Sequence, residues 1–558
     1  MDPLYAELYT EIEKRKLATV EQVLKLRREL CRKYKPKVFP SIIQILMHAN
    51  NEQFGKLKFM IMKPMRTQSG VTPIAVMSKP SNCPHGTCIM CPGGLGSYFG
   101  DVPQSYTGAE PSTMRSMRNN YDPYLVVFNR LEQYFLLNQS CEKVELIIQG
   151  GTFPAFPEQY QNEFIMYALK AMNDFNFTFD SFKEFFELPG EMTPERTQRI
   201  QQRILQLKGT STLQREQERN ETTKIRCVGL TIETKPDWSK LEHANLMLEQ
   251  GCTRVELGVQ TTNNDVLQKI NRGHTIEDTK EAFRILKDLG FKVHAHMMPG
   301  LPDDTNDLMS IFDEEYRPDM LKVYPCMVMP GTELEKMYQR GEFTPMRTEE
   351  VVKLLAEFKP KVPEYVRIMR IQRDIPTKQT LDGVDKTNLR QLVHDYMRKQ
   401  NTKCNCIRCN EIKSPITNPQ LHVIEYAASQ GKEFFISMKQ GREIIGFCRL
   451  RFPSQALRKE ITENAAIIRE LHVYGTAIDI EKTGDVQHRG FGKALLRKAE
   501  DICRENNKDK LVVISGIGVR EYYRKLGYKN DGPYVSKLLE ENKILLSPSV
   551  VSYQNSNH

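Results

Sequence analysis

Lys143-Val144-Glu145-Leu146-Ile147-Ile148-Gln149-Gly150-Gly151-Thr152 is the stretch on which the fold turns. Its aliphatic, β-branched run reads as a strand, and the glycine pair with a hydroxyl reads as a tight loop at the strand's C-terminal end. A helix is expected next, over 157–175. The same grammar recurs downstream. Strands are expected at 227–232, 254–259, 291–298 and 320–324. A helix over 238–250 stops at Gly251, a favourable C-terminal cap, and another starts with Thr275 placed three residues before Asp278 and ends at Gly290. Repeated strand–helix units of this length mean parallel strands joined by crossover helices. The fold class is therefore α/β, with a full or partial (β/α) barrel over residues 75–330. A polar stretch at 176–224 interrupts the pattern and reads as a helical insertion.

The chain has 558 residues, too many for one core, so further domains are expected. Hydrophobic residues make up 40% and charged residues 27%, with a net charge of +9. This is the balance of a globular protein with a modest basic excess, compatible with nucleic acid. No apolar run is long enough for a membrane span, and Met1 to Glu7 has no hydrophobic signal region. The expected setting is the reducing cytoplasm, where the 13 cysteines need a reading other than disulfides.

Cys83-Pro84-His85-Gly86-Thr87-Cys88-Ile89-Met90-Cys91-Pro92-Gly93-Gly94 supplies that reading. Three thiolates in one tight loop, Cys83, Cys88 and Cys91, suit three irons of a [4Fe–4S] cluster. The fourth iron is left open for a small chelating ligand, as reductive cleavage of S-adenosylmethionine (SAM) requires. A zinc site would need a fourth ligand, and His85 lies inside the loop rather than at ligand spacing. Gly150, Gly151 and Thr152 sit at a strand's C-terminal end, where barrel active sites lie, and would hold the methionine part of SAM. Glu233 and Gln260 end the next two strands, and His294 and His296 lie near the end of another.

Residues 1–74 read as a basic helical region. Lys14, Arg15, Lys16, Arg27, Arg28, Arg32 and Lys33 crowd a short stretch and are candidate contacts for nucleic-acid phosphates. Residues 331–412 read as a connector. It carries Cys404, Cys406 and Cys409, expected to hold a structural zinc with Cys326 as the fourth ligand and His394 as the rival. Surface thiols and a second iron–sulfur cluster are the alternatives.

Residues 413–540 change pattern, and 541–558 form a Ser/Asn-rich tail. Gln487-His488-Arg489-Gly490-Phe491-Gly492-Lys493 opens a helix. Q-x-x-G-x-G at a helix start is a pyrophosphate cradle, because free backbone N–H groups and the helix dipole favour an anion. A strand through Glu470, Leu471, His472 and Val473 precedes it, and a strand over 511–516 and then Tyr522-Tyr523-Arg524-Lys525-Leu526-Gly527-Tyr528 follow. That order matches the GNAT acetyltransferase pattern for acetyl-CoA, with Tyr522 or Tyr523 near the thioester sulfur, where a phenol donates a proton.

Ser69-Gly70-Val71, Cys83 to Gly94, Gln104-Ser105-Tyr106-Thr107-Gly108, Glu110-Pro111, Gly150 to Phe153, Glu470 to Gly475 and Tyr522 to Tyr528 together resemble the catalytic subunit of Elongator, over nearly the whole chain. The resemblance implies a tRNA carboxymethyluridine synthase. SAM would yield a deoxyadenosyl radical, which takes a hydrogen from the methyl group of acetyl-CoA. The carbon radical would add to carbon five of the wobble uridine, and the thioester would then be hydrolysed. The resemblance further implies that Lys143, Glu470 to Val473, Phe491 to Lys493 and Tyr523 contact acetyl-CoA. The shorter gap between the first two cluster cysteines, and the trio at 404–409, resemble archaeal or bacterial stand-alone forms. They point to an enzyme working without the other Elongator subunits. A homodimer is compatible with the sequence but not required by it. The competing functional reading is a protein lysine acetyltransferase with the barrel as scaffold.

Overall fold

The computed structural model describes residues 2–60, 70–191, 193–305, 307–475 and 490–539. Gln487 and the tail at 541–558 lie outside the described residues. Two seven-stranded sheets organise the chain. In the first, all strands are parallel and follow sequence order: β1 (Thr72–Met77), β2 (Lys143–Gln149), β3 (Arg226–Thr234), β4 (Arg254–Gln260), β5 (Lys292–Met297), β6 (Met320–Val323) and β7 (Arg367–Arg370). β1 and β7 are its edges, so the (β/α) barrel is partial and open.

Two of these strands escape the sequence pattern. β1 carries Pro73, which lacks a ladder donor and is tolerated because the strand is an edge. β7 falls in the expected connector. Its Arg367 and Arg370 line the barrel cavity, so a strand that faces a polar hollow reads as surface. The insertion is helical: Phe179–Phe185, Pro194–Lys208 and Leu213–Asn220 stand between β2 and β3.

The second sheet runs in the order β8 (Gln420–Ala428), β9 (Gly431–Gln440), β10 (Glu443–Phe452), β11 (Ala465–Val473), β12 (Lys510–Val513), β14 (Tyr534–Leu538) and β13 (Lys529–Asp531). It is antiparallel except for β11 and β12, which are parallel. Their pairing stops at Ile468↔Val513. Beyond it the two strands separate, and Gly516 and Gly518 pack on the barrel. A Cβ added at Gly516 would meet the Val228 carbonyl oxygen at 2.2 Å, and one at Gly518 would meet Arg226 Cβ at 2.5 Å. Helix Phe491–Glu505 packs on β9, β10 and β11.

A buried ionic lattice joins the two sheets. Asp319, at the start of β6, accepts from Arg469 Nη1 at 2.7 Å and Nη2 at 2.6 Å, and from the Val293 N–H at 2.8 Å. Arg469 also donates to Glu433. Arg451 donates to Glu433 and Asp288, and Arg449 donates to Glu470. With Lys287 near Glu433, cations and anions balance, and every member is buried. Charges taken this far from water persist only when paired and hydrogen-bonded on all sides, which fixes the relative placement of the two sheets.

Candidate functional site

One cavity of ≈ 1850 Å³ runs through the barrel from Cys83, Gly151 and Thr152 at the C-terminal strand ends to Lys292 at the start of β5 and to His472 and Tyr474 at the end of β11. Glu233, Gln260, His296 and Lys322 also line it. Alternation along the parallel strands aims one residue in two into this space.

At the first end, the backbone of Gly150 (φ 126°) and Gly151 (φ 96°) adopts conformations that L side chains rarely enter. A Cβ at Gly150 would meet Ser78 Oγ at 2.1 Å, and one at Gly151 would stand 3.9 Å from Cys83 Sγ. The glycine loop therefore lies against the cysteine loop. Thr152 Oγ1 is 3.7 Å from Cys83 Sγ, and the Ser105 N–H donates to Cys91 Sγ at 3.3 Å. Burial pushes the Cys91 thiol up to about 11, a shift that a bound metal would reverse. Among the described residues, Cys83, Cys88 and Cys91 do not form one of the compact groups suited to a single ion. Cys83 lines the cavity beside the bare backbone of Gly151, and the three thiols are not gathered as ligands of one ion, an arrangement that fits a larger inorganic cluster.

Cys404, Cys406 and Cys409 behave differently. Their sulfurs all lie within 4.8 Å of one another, close to the ~4 Å edge that ~2.3 Å zinc–sulfur bonds impose on a tetrahedron. Asn410 Nδ2 ties down the Cys404 and Cys406 carbonyls. Cys326 is not with them. It packs with Cys88, Met90 and Val328 in a separate apolar cluster, because the loop after β6 turns towards the other cysteine motif. The expectation that Cys326 completes the trio is therefore corrected. His394 Nε2, 3.9 Å from Cys409 Sγ, is the imidazole within reach.

Mid-cavity, a charged group occupies the floor. Glu256 accepts from Lys322 and is bonded to His294 Nδ1 at 2.9 Å and His296 Nε2 at 3.1 Å. Burial pushes His294 down to about 3, so it is neutral, and the carboxylate beside Lys322 stays ionised. Glu233 accepts from Tyr106 Oη at 2.8 Å and Gln149 Nε2 at 3.1 Å, which presents it as a fixed anion at the strand end. Lys322 and Glu256 went unassigned in the sequence, although a charged residue inside an otherwise apolar strand is the available signal.

At the second end, the alternation of β11 separates the expected acetyl-CoA contacts. Glu470 is turned to Arg449 Nε at 2.9 Å and belongs to the ionic lattice, so its carboxylate is not free for a ligand. His472 lines the cavity. Leu471 and Val473 take the opposite face, where Val473 Cγ2 lies 3.8 Å from a Cβ built on Gly492. Gly490 (φ 88°) caps helix Phe491–Glu505 with no side-chain bond, so among the described residues its first N–H groups have no cap, and Lys493 is exposed beside them. Tyr522 Oη would stand 3.1 Å from a Cβ at Gly492, so its hydroxyl reaches the helix start. Tyr523 is buried, edge-on to Tyr522 and Tyr528. Lys143 opens β2 beside Arg226, on the rim where Gly518 docks.

The basic helices Pro3–Lys14 and Val20–Tyr34 and the turn between them expose Lys14, Lys16, Arg28 and Arg32, with Lys14 lying 3.6 Å from Glu11. Three other expected contacts are engaged within the protein. Arg15 pairs with Glu11 and Glu29, Lys33 pairs with Glu7, and Arg27 bonds the Pro40 carbonyl and covers Phe39. Glu11 meets Arg15 one turn along, whereas packing of the two helices brings Glu7 to Lys33 and Glu29 to Arg15.

An open parallel barrel with a three-cysteine loop at its active end, fused to a sheet that splays beside a helix start, defines a radical SAM protein carrying a GNAT domain. Residues 77–314 match the radical SAM superfamily, 318–399 its C-terminal domain and 403–528 the acetyltransferase (GNAT) family. The "tRNA uridine(34) acetyltransferase" of Methanocaldococcus jannaschii is 45% identical over 524 residues, which cover 90% of this chain and 91% of that one. "Elongator complex protein 3" of Saccharomyces cerevisiae is 38% identical, covering 91% and 90%. The solved structure of Methanocaldococcus infernus Elp3 with an N-terminal deletion superposes with a TM-score of 0.69 at 39% identity, covering 84% of this chain and all of that one. The chain belongs to the Elongator complex protein 3 family, which includes the archaeal tRNA uridine(34) acetyltransferases.

Proposed function

We propose that this chain is a tRNA-modifying enzyme that transfers a carboxymethyl group, derived from acetyl-CoA, to carbon five of the wobble uridine. The observation that carries the reading is the single cavity joining the cysteine–glycine end of the barrel to His472 and the opening of the GNAT sheet. Kinship with enzymes named for uridine 34 supplies the substrate class.

Cys83, Cys88 and Cys91 would hold a [4Fe–4S] cluster, which when bound supplies the electron for reductive cleavage of SAM. The bare backbone of Gly150 and Gly151, with Thr152, would receive the methionine part of SAM, and Glu233 and Gln260 would face the rest of it. The free N–H groups after Gly490 would take the pyrophosphate of acetyl-CoA, with Gly492 and Lys493 beside it and Leu471 and Val473 along the pantetheine. Tyr522, with its hydroxyl at the helix start, is the better placed of the two tyrosines to donate a proton at the thioester sulfur. Zinc on Cys404, Cys406 and Cys409, with His394, would pin the segment between the domains. The exposed cations of the first two helices would contact tRNA phosphates, and the unpaired anticodon loop would present an unstacked base to the cavity. The family's archaeal members and this chain's single-chain cavity favour action without other Elongator subunits, in the cytoplasm.

The test uses anaerobically reconstituted protein with SAM, reductant, acetyl-CoA labelled in the acetyl methyl group, and bulk tRNA. The expected result is label in a carboxymethylated uridine, abolished by Cys88→Ala. Label on protein lysines alone would instead establish a lysine acetyltransferase.

A further inference from the structure

Beneath Cys88 lies a set of cations that the proposed binding and transfer steps do not use. Lys235, just after β3, is buried, and its Nζ is 2.9 Å from His85 Nδ1. His85 Nε2 is in turn 3.3 Å from Cys88 Sγ. An ammonium has only protons to give, so Nδ1 must accept, and the single ring proton of the neutral imidazole then sits on Nε2, aimed at the sulfur. Gly273 makes room for this ring: a Cβ there would meet His85 Cβ at 2.4 Å and Cγ at 2.7 Å.

Arg272 reaches the same sulfur independently. Its Nε and Nη2 donate to the Gly258 carbonyl at 3.2 and 2.6 Å, which fixes the guanidinium plane. Its Nη1 then points at Cys88 Sγ at 3.5 Å. Among the described residues, Asp237 is the one carboxylate paired with Lys235, at 3.3 Å, so two buried cations stand by the sulfur against one anion. Cys83 and Cys91 have different company. A neutral threonine hydroxyl approaches Cys83, and the Ser105 N–H and the Gln104 side chain approach Cys91.

We propose that Arg272 and the Lys235–His85 relay form an electrostatic and hydrogen-bonding seat on the Cys88 thiolate that raises the reduction potential of the cluster. This rests on the radical SAM reading above. One electron from an external reductant takes the cluster core from 2+ to 1+ with its three thiolates retained, so the reduced form carries one more negative charge. Fixed cations and N–H donors at a ligand sulfur stabilise that form more than the oxidised one. Arg272, Lys235 and His85 are positioning residues here, because they act on the cluster through Cys88.

The experiment is a mediated redox titration of the reconstituted full-length protein without SAM, with the reduced cluster read by electron paramagnetic resonance. The expected outcome is a midpoint shifted to more negative potential in Lys235→Met and in Arg272→Gln, further in the double variant, and partly restored in Arg272→Lys. Surface variant Lys280→Gln should match the unmodified protein. Midpoints unchanged in both single variants would overturn the proposal. Loss of iron from both, in chains that remain folded by circular dichroism, would also overturn it and assign these residues to cluster assembly. If the unmodified protein takes up no cluster at all, it is the radical SAM reading that fails, an outcome distinct from either of these.

Discussion

Asp319→Ala strikes the ionic lattice at the point where barrel and GNAT sheet meet. Asp319 is fully buried and neutralises Arg469 through two bonds while lying 3.5 Å from Arg449. Removing it strands a guanidinium in the interior and orphans the Val293 N–H. Breaking one partner from a buried pair costs about 3–5 kcal/mol, and an unmade buried hydrogen bond about 1–3 kcal/mol on its own. The expected destabilisation is therefore at least about 3 kcal/mol. Trp238, the sole tryptophan, follows β3 and reports the barrel by fluorescence during urea unfolding. Circular dichroism reports both sheets. Asp319→Ala should lower the midpoint seen by both probes. Asp319→Leu combined with Arg469→Met restores the balance of charges and should recover most of the loss, since a paired replacement by apolar groups of similar volume is often near neutral. A loss below about 1 kcal/mol in the single variant, or a double variant no better than the single, would refute the argument that uncompensated charge is what the lattice prevents.

Other consequences are as direct. Gly150→Ala should abolish uridine labelling while leaving acetyl-CoA affinity, read by calorimetry, unchanged, because its Cβ would collide with Ser78 at the far end of the cavity. Tyr522→Phe should reduce turnover of acetyl-CoA by ~10²-fold or more, the usual scale for a lost proton donor, and Tyr523→Phe should alter stability rather than rate. Metal analysis should find one zinc per chain besides iron; His394→Ala should weaken its retention against a chelator, and Cys326→Ala should not. His274 is buried, and burial with Arg272 beside it pushes it down to about 2. The unfolded chain takes up that proton near pH ~6.5 and the folded chain does not, so this share of stability is present above that pH and lost as pH falls below it. His274→Leu should flatten the decline between pH 6.5 and 4.5 by about 1.4 kcal/mol per pH unit, measured by urea unfolding at each pH.

The barrel was legible where strands are buried on both faces and end in punctuation. The capping box from Thr275 to Asp278 stands as expected, and Gly290 ends that helix in a left-handed conformation. It was illegible where function alters the pattern. Arg367 and Arg370 face the cavity, so β7 reads as a polar connector. The strand expected over 511–516 ends at Val513, because the following residues leave their sheet to dock. Among the site residues, the three cysteines of the first loop needed only their spacing. Arg272 has no local signal, because it meets Cys88 only after 184 residues of chain have folded back. Glu470 was placed by family pattern, and only the fold shows that its carboxylate is already taken by Arg449.

The separation of β11 from β12 has a consequence for how this chain is divided. The segment after Val513 leaves its neighbour because Gly516 and Gly518 settle on Val228 and Arg226 of the barrel. The gap that would receive acetyl-CoA is thus held open from outside its own sheet. Cut free at the family boundary, an isolated C-terminal half would have bare glycines where its anchor had been, and its parted strands would be at liberty to zip together. The two halves are not cargo and carrier on a tether: the barrel is part of the wall of its neighbour's pocket, and neither half is a portable module.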